Sequence, residues 1–316
     1  MKRYLLVIVL AALLVLTVVL ALRLGAAEST AVILREIRGP RIVMAVMIGA
    51  GLGLAGTVMQ AITHNPLADP AIVGISGGAA LGAAAVISLG VGFGTPVVAA
   101  AAVVVALLVA WVISAISQRD GRSEVVTLVL AGVAITAFAA ALVSVLVSTN
   151  TSPAIRSLTF WTSGSLALST WSGIVAVTPF VIVGVVLVAL ISGSLDPLSL
   201  GDRGARAAGV DVTRTRMGGL AAVVLLVAAG VSVVGMIAFI GLVIPHAVRA
   251  LLGPQHRLLL VASAISGALV LLIADTAARV AAQPVEIPVG AITAIVGAPI
   301  FLVLLLRTRA RQGGWA

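Results

Sequence analysis

Cysteine is absent from this 316-residue chain, which excludes disulfides, thiolate metal sites and cysteine nucleophiles. Charge is scarce: 9% of residues are Asp, Glu, Lys or Arg against 61% apolar, a balance foreign to soluble domains. The single lysine is Lys2. A Walker-type phosphate loop needs a lysine after glycine, so this chain does not bind ATP that way. The three histidines, His64, His246 and His256, show no ligand spacing with carboxylates, and no metal site or catalytic residue is assigned. Aromatics make up 3%, and no loop interleaves them with basic residues, so the formal charge of +9 does not describe a nucleic-acid surface.

What is present is hydrocarbon. Mean hydropathy is +1.28. A bilayer core about 30 Å thick takes roughly 20 apolar residues per helix, and such runs recur at 4–24, 41–63, 71–92, 96–117, 125–148, 172–194, 216–236, 238–252, 258–282 and 288–307. These predict an all-α, polytopic membrane protein of about ten helices in one domain over residues 1–316. The runs are too long for barrel strands. The first 27 residues resemble a signal peptide, yet their apolar run of about 19 residues exceeds the usual h-region, and we read a retained helix. The eighth helix is short and holds Pro245 and His246, so a broken or partly spanning element is expected there.

Arginine then sets the topology. With a cytoplasmic N-terminus the inner side holds Lys2, Arg3, Arg119, Arg122, Arg203, Arg206, Arg214, Arg216, Arg249, Arg257, Arg307, Arg309 and Arg311. The outer side holds Arg23, Arg35, Arg38, Arg41, Arg156 and Arg279. That asymmetry places both termini in the cytoplasm.

Between the second and third helices lies HNPLADP, a tight inner turn with no Lys or Arg. Pro66 and Pro70 end one helix and start the next, and Asn65 and Asp69 are placed to cap free backbone groups. Gly74, Gly77, Gly78 and Gly82 then give the third helix a face for close backbone approach, and Gly49, Gly51, Gly53 and Gly56 give the second a matching row. The latter include the spacing G-x-G-x-x-G, but no strand precedes it and it lies in a span, so it reads as packing.

Four features carry function. Residues 195–216 form the longest inner loop and are expected to make one or two short helices, with Gly209 as a C-cap; a partner surface and a loop held near anionic lipid both fit. Arg35, Arg38 and Arg41 at the start of the second helix, with Arg279 at the outer end of the ninth, suit either snorkelling to lipid or docking of an acidic partner. Asp275 and Arg279, four apart with the acid first, suit an intrahelical pair. Phe160, Trp161 and Trp171, in the long outer segment 149–172, suit an aromatic belt or a lip over a path. A proton- or sodium-driven carrier needs buried acids or broken-helix cation sites near the midplane, and their scarcity in the sequence argues against one.

Taken together, REIRGPRIVMAVMIGAGLGLAGTVMQ, HNPLADPAIVGISGGAALGA, FWTSGSL, LSLGDRGARAAGV, GMIAFIGLVIPHAVRALLGPQHR, ADTAARV and EIPVGAITAIVGAPIFLVLLLR, in order from about residue 35 to 307, resemble a known family. It is the permease subunits of ABC importers for ferric siderophores, heme and vitamin B12. The resemblance implies a type II importer permease in the bacterial cytoplasmic membrane, working as a homodimer. It also implies a substrate path along the dimer interface, a substrate-binding protein above, and two ATPase subunits below that carry the ATP and Mg. The permease itself holds no cofactor. Asn65 and Leu67 match the family's inner gate. Leu200, Gly201, Asp202, Ala205, Arg206, Ala208 and Gly209 match its ATPase-coupling helix, and Arg38, Arg41 and Arg279 its binding-protein docking residues. The implied cargo is an iron complex, ferric siderophore first and heme next, with cobalamin as the alternative; an ion-coupled secondary transporter is the rival from another class. Two departures stand out: Gly39 follows Arg38 where the family commonly has leucine, and the outer loop before the second helix is short.

Overall fold

The computed structural model describes residues 2–24, 30–71, 73–119, 122–123, 125–149, 160–281 and 285–311. The apolar runs fold as helices bounded by proline, glycine and polar caps: α1 (Lys2–Arg23), α2 (Gly39–Ile62), α3 (Ile75–Ser88), α4 (Pro96–Ser117), α5 (Val125–Thr149) and α6 (Trp171–Leu198). The order continues with α7 (Gly201–Ala207), α8 (Val212–Val234), α9 (Ile240–Leu252), α10 (His256–Val280) and α11 (Val289–Arg311). A π-helical turn over Ile33–Arg38 leads into α2, and a two-residue hairpin, Gln118–Arg119 with Arg122–Ser123, joins α4 to α5. Every predicted span has a helix, so the chain is a multi-pass membrane protein. Among the described residues seven helices are long and apolar enough to cross a bilayer, and Ile75–Ser88, Ile240–Leu252 and Val289–Leu304 are shorter apolar helices.

Helices α2 and α8 are central. From Ala222 to Gly235 nearly every α8 side is buried, and α2 packs on α8, α10, α9 and α6. The glycine rows explain how closely, but they do not face each other. On α2, Gly49 abuts Gly267 and Gly53 abuts Ser263, both on α10, and Gly56 abuts Gly241 of α9. On α3, Gly78 and Gly82 meet Val109 and Ala101 of α4, and Gly74 and Gly77 meet Gly132 and Thr136 of α5. Small residues show that a backbone comes near; they do not name which one. Helix α1 is peripheral, with Tyr4, Leu5, Ile8, Val15 and Leu16 exposed.

The helix of the eighth predicted span, α9, is short, as expected, but it runs unbroken through Pro245 and His246; the break lies before it. Residues 235–239 leave the helix between two left-handed residues, Gly235 (φ 72°) and Phe239 (φ 69°). Non-helical backbone at membrane depth needs partners inside the protein. At its two ends the break is tied to the helices, Gly235 N–H donating to the Val231 carbonyl at 2.9 Å and Val243 N–H to the Phe239 carbonyl at 2.8 Å, and beside it Ser165 N–H donates to the Val234 carbonyl at 2.8 Å and Gly290 N–H to the Gly164 carbonyl at 2.9 Å. Trp161 closes this knot, fully buried and 6.3 Å from the Phe93 ring centroid. That corrects the interfacial placement of Trp161, whereas Trp171 is half-exposed and donates from Nε1 to the Arg35 carbonyl at 3.0 Å. Of the outer segment proposed as a lip, residues 150–159 lie outside the described residues.

Candidate functional site: two charged collars and an inner turn

Arg38, Arg41, Asp275, Arg279 and Glu286 converge at one end of the bundle, called here the upper end. Arg41 Nε donates to both Asp275 oxygens at 2.8 and 3.1 Å, and its Nη1 to both Glu286 oxygens at 3.0 and 2.9 Å. Asp275 is fully buried and takes Arg279 on its other side at 3.4 Å, the pair expected from sequence. Arg38 Nη1 donates to the Leu22 carbonyl at 2.7 Å and Arg279 Nη2 to the Ala21 carbonyl at 3.3 Å. Those carbonyls lie in the last turn of α1, whose free acceptors and negative dipole end favour cations. The three arginines proposed for docking are therefore 4, 4 and 8% exposed and tie α1, α2 and α10 together. Arg35, with 84% of its side chain exposed, is the one of this group that faces out.

The lower end holds the turn, α7 and a second set of charges. Asn65 Oδ1 accepts from Leu67 N–H at 2.9 Å, Asp69 Oδ1 from Ala71 N–H at 2.7 Å, and Asn65 N–H donates back to the Gln60 carbonyl at 3.2 Å. These Asx turns make residues 64–71 a short rigid bracket with Leu67 half-buried at its tip. His64 sits at φ 50°, in the left-handed region that is uncommon for residues other than glycine.

Helix α7 emerges from the inner loop as expected, and α6 extends four residues past its predicted end to meet it. It ends in a Schellman cap: Gly209 (φ 81°) donates to the Arg206 carbonyl at 2.9 Å and Val210 to the Ala205 carbonyl at 3.0 Å. Of the proposed coupling residues, Leu200, Arg206, Ala208 and Gly209 are exposed and Gly201 and Asp202 half-buried, while Ala205 is fully buried as the seat of α7 in the bundle. Asp202 takes both Nη atoms of Arg216 (2.9 and 2.8 Å), a fork-on-carboxylate pair that gives a second role to an arginine whose sequence position speaks only to topology. A methyl at Gly209 meets no atom within 4 Å, so Gly209→Ala is expected to cost only the left-handed backbone, about 1 kcal/mol. A drop of a few degrees or less in melting temperature checks this.

A short helix standing off the bundle and a rigid turn, with a helix break between α8 and α9, are the irregular features of this fold. The family model of the FecCD transport family matches residues 4–307. The chain belongs to that family. Among FecCD relatives, it is similar to the cobalamin import system permease protein BtuC of Halobacterium salinarum, 43% identical over 286 residues, covering 90% of this chain and 76% of that one. It is likewise similar to the hemin transport system permease protein HmuU of Yersinia pestis, 38% identical over 285 residues, covering 88% and 84%. Among solved structures it matches an inward-facing metal-chelate type ABC transporter with a TM-score of 0.80 at 30% identity, over 95% of this chain and 98% of the other. The FecCD fold thus carries both the bundle and the α7 appendage.

Proposed function

We propose that this chain is the permease subunit of an ATP-binding cassette importer and moves a metal chelate across the cytoplasmic membrane. The observation that supports it most is α7: a seven-residue helix seated by Ala205 at the lower end, with Leu200 71% exposed beside it, in a chain without a nucleotide-binding lysine loop. Such a chain takes its driving force from a separate ATPase, and a short protruding helix is the part an ATPase grips. In this reading two copies enclose the path and two ATPase subunits, with their ATP and Mg, sit below. Both termini are cytoplasmic, and Asn65 and Leu67 narrow the inner mouth. The binding protein sits over the collar of Arg38, Arg41 and Arg279; because those guanidiniums are buried, first contact falls to exposed neighbours such as Arg35.

The cargo we favour is an iron complex, siderophore or heme, in line with the hemin relative. Cobalamin is the second reading, favoured by the relative at 43% identity. Reconstitution of the permease with its ATPase and binding proteins in liposomes tests both. Uptake of a ferric siderophore, hemin or cobalamin that requires ATP and ignores a proton ionophore is expected. Uptake by the permease alone on a proton gradient overturns the proposal.

A further inference from the structure

The importer reading needs motion at α7 to reach the turn at Leu67, and the lower end contains a specific connection between them. Arg216, in the first turns of α8, contacts three elements at once. Its two Nη atoms grip Asp202 of α7, its Nε donates to the carbonyl of Ile62, the last residue of α2, at 3.2 Å, and Nη2 reaches His64 Nδ1 at 3.4 Å. The other nitrogen of His64, Nε2, lies 2.6 Å from the Leu198 carbonyl, three residues before α7. A carbonyl only accepts, so Nε2 carries the proton and Nδ1 accepts from Arg216, which makes the two contacts mutually consistent. His64 is thereby held from both sides in the left-handed conformation that sets the direction of the Asn65–Leu67 bracket.

We propose that Arg216 and His64 are positioning residues that make the Asn65–Leu67 turn follow α7, so that a displacement of the coupling helix moves the inner gate. This rests on the importer reading. A planar guanidinium joined to a carboxylate, a helix-end carbonyl and an imidazole resists rotation in a way that a single point charge does not. Lysine in its place keeps the charge and loses the fork.

The absence of native cysteine makes the test direct: a spin label on Leu67→Cys reports one distance between the two copies of the assembled transporter. In the otherwise native assembly that distance is expected to change on ATP binding. Arg216→Lys is expected to assemble, melt close to the parent and hydrolyse ATP, but to reduce the ATP-populated fraction of the changed distance roughly tenfold, the scale of one lost charge-assisted link. His64→Asn keeps the left-handed backbone, cannot span to both partners, and is expected to act alike; it decides the matter if the lysine variant does not assemble. A parent-like ATP response in the variant that decides overturns the link while leaving the importer reading intact. No ATP response in the parent overturns that reading and the link with it.

Discussion

Arg41→Gln is expected to lower stability by about 3–5 kcal/mol, because it removes the main partner of a fully buried carboxylate and leaves that charge in the bundle. In a chain of this size such a loss corresponds to roughly 5–10 °C in melting temperature. Asp275 keeps Arg279 at 3.4 Å, but that guanidinium also serves the Ala21 carbonyl, so it cannot take over both Asp275 oxygens. Glu286, partly exposed, turns to water once released. Asp275→Asn takes the shared carboxylate from two arginines, leaving Arg41 on Glu286 and Arg279 on the Ala21 carbonyl, and the double variant is expected to be less damaging than the sum of the two. Arg35→Gln is the matched control: an exposed arginine whose ion pair with Glu36 is 3.6 Å long is expected to change stability by no more than about 0.5 kcal/mol. Thermal melting of the detergent-solubilised protein separates them. Equal melting of Arg41→Gln and the parent would show that the collar is not structural and return Arg41 to a direct docking role.

Gly56→Ala carries the second large effect. A methyl there overlaps the carbonyl oxygen, carbon and Cα of Gly241, all backbone, so α2 and α9 have to separate along their whole contact. Overpacking against backbone costs about 3 kcal/mol or more, since no side chain is able to swing aside. Gly51, on the same helix five residues earlier, offers the contrast: its added methyl lies 3.7 Å from Leu226 Cδ2, an ordinary contact. Alanine at 51 is expected to be neutral or to stabilise by up to about 1 kcal/mol through helix propensity. Monodisperse yield and melting temperature of the two variants test the pair; equal behaviour sinks the close-approach account of the α2 row.

Much of this was legible in one dimension. Hydropathy located the ten apolar helices because a bilayer punishes every polar interruption, and Gly209 marked the end of α7 because a left-handed cap suits glycine. The Asp275–Arg279 pair could be read because it lies within one helical turn. What could not be read was partnership at a distance. Arg41 and Asp275 are 234 residues apart, and an arginine near a helix end looks the same whether it meets lipid, a visiting protein or a buried acid. Arg216 was hidden for the same reason, although an arginine at the start of a helix, where the dipole disfavours it, was a signal that a carboxylate lay near. Trp161 misled because tryptophan is common at membrane interfaces, and only the knot of residues 161–165, 234–236 and 290 shows what it fills.

Where Gly49, Gly53 and Gly56 bring backbone onto backbone, there is no layer of rotamers to slip, so α2, α9 and α10 cannot shear past one another by repacking. They must travel as a single rigid spar. Whatever reshaping the molecule undergoes is thereby confined to the joints where a side chain lies between the backbones, as Leu226 and Ile191 do between α6 and α8, and it is there that a wedge or a crosslink should freeze motion.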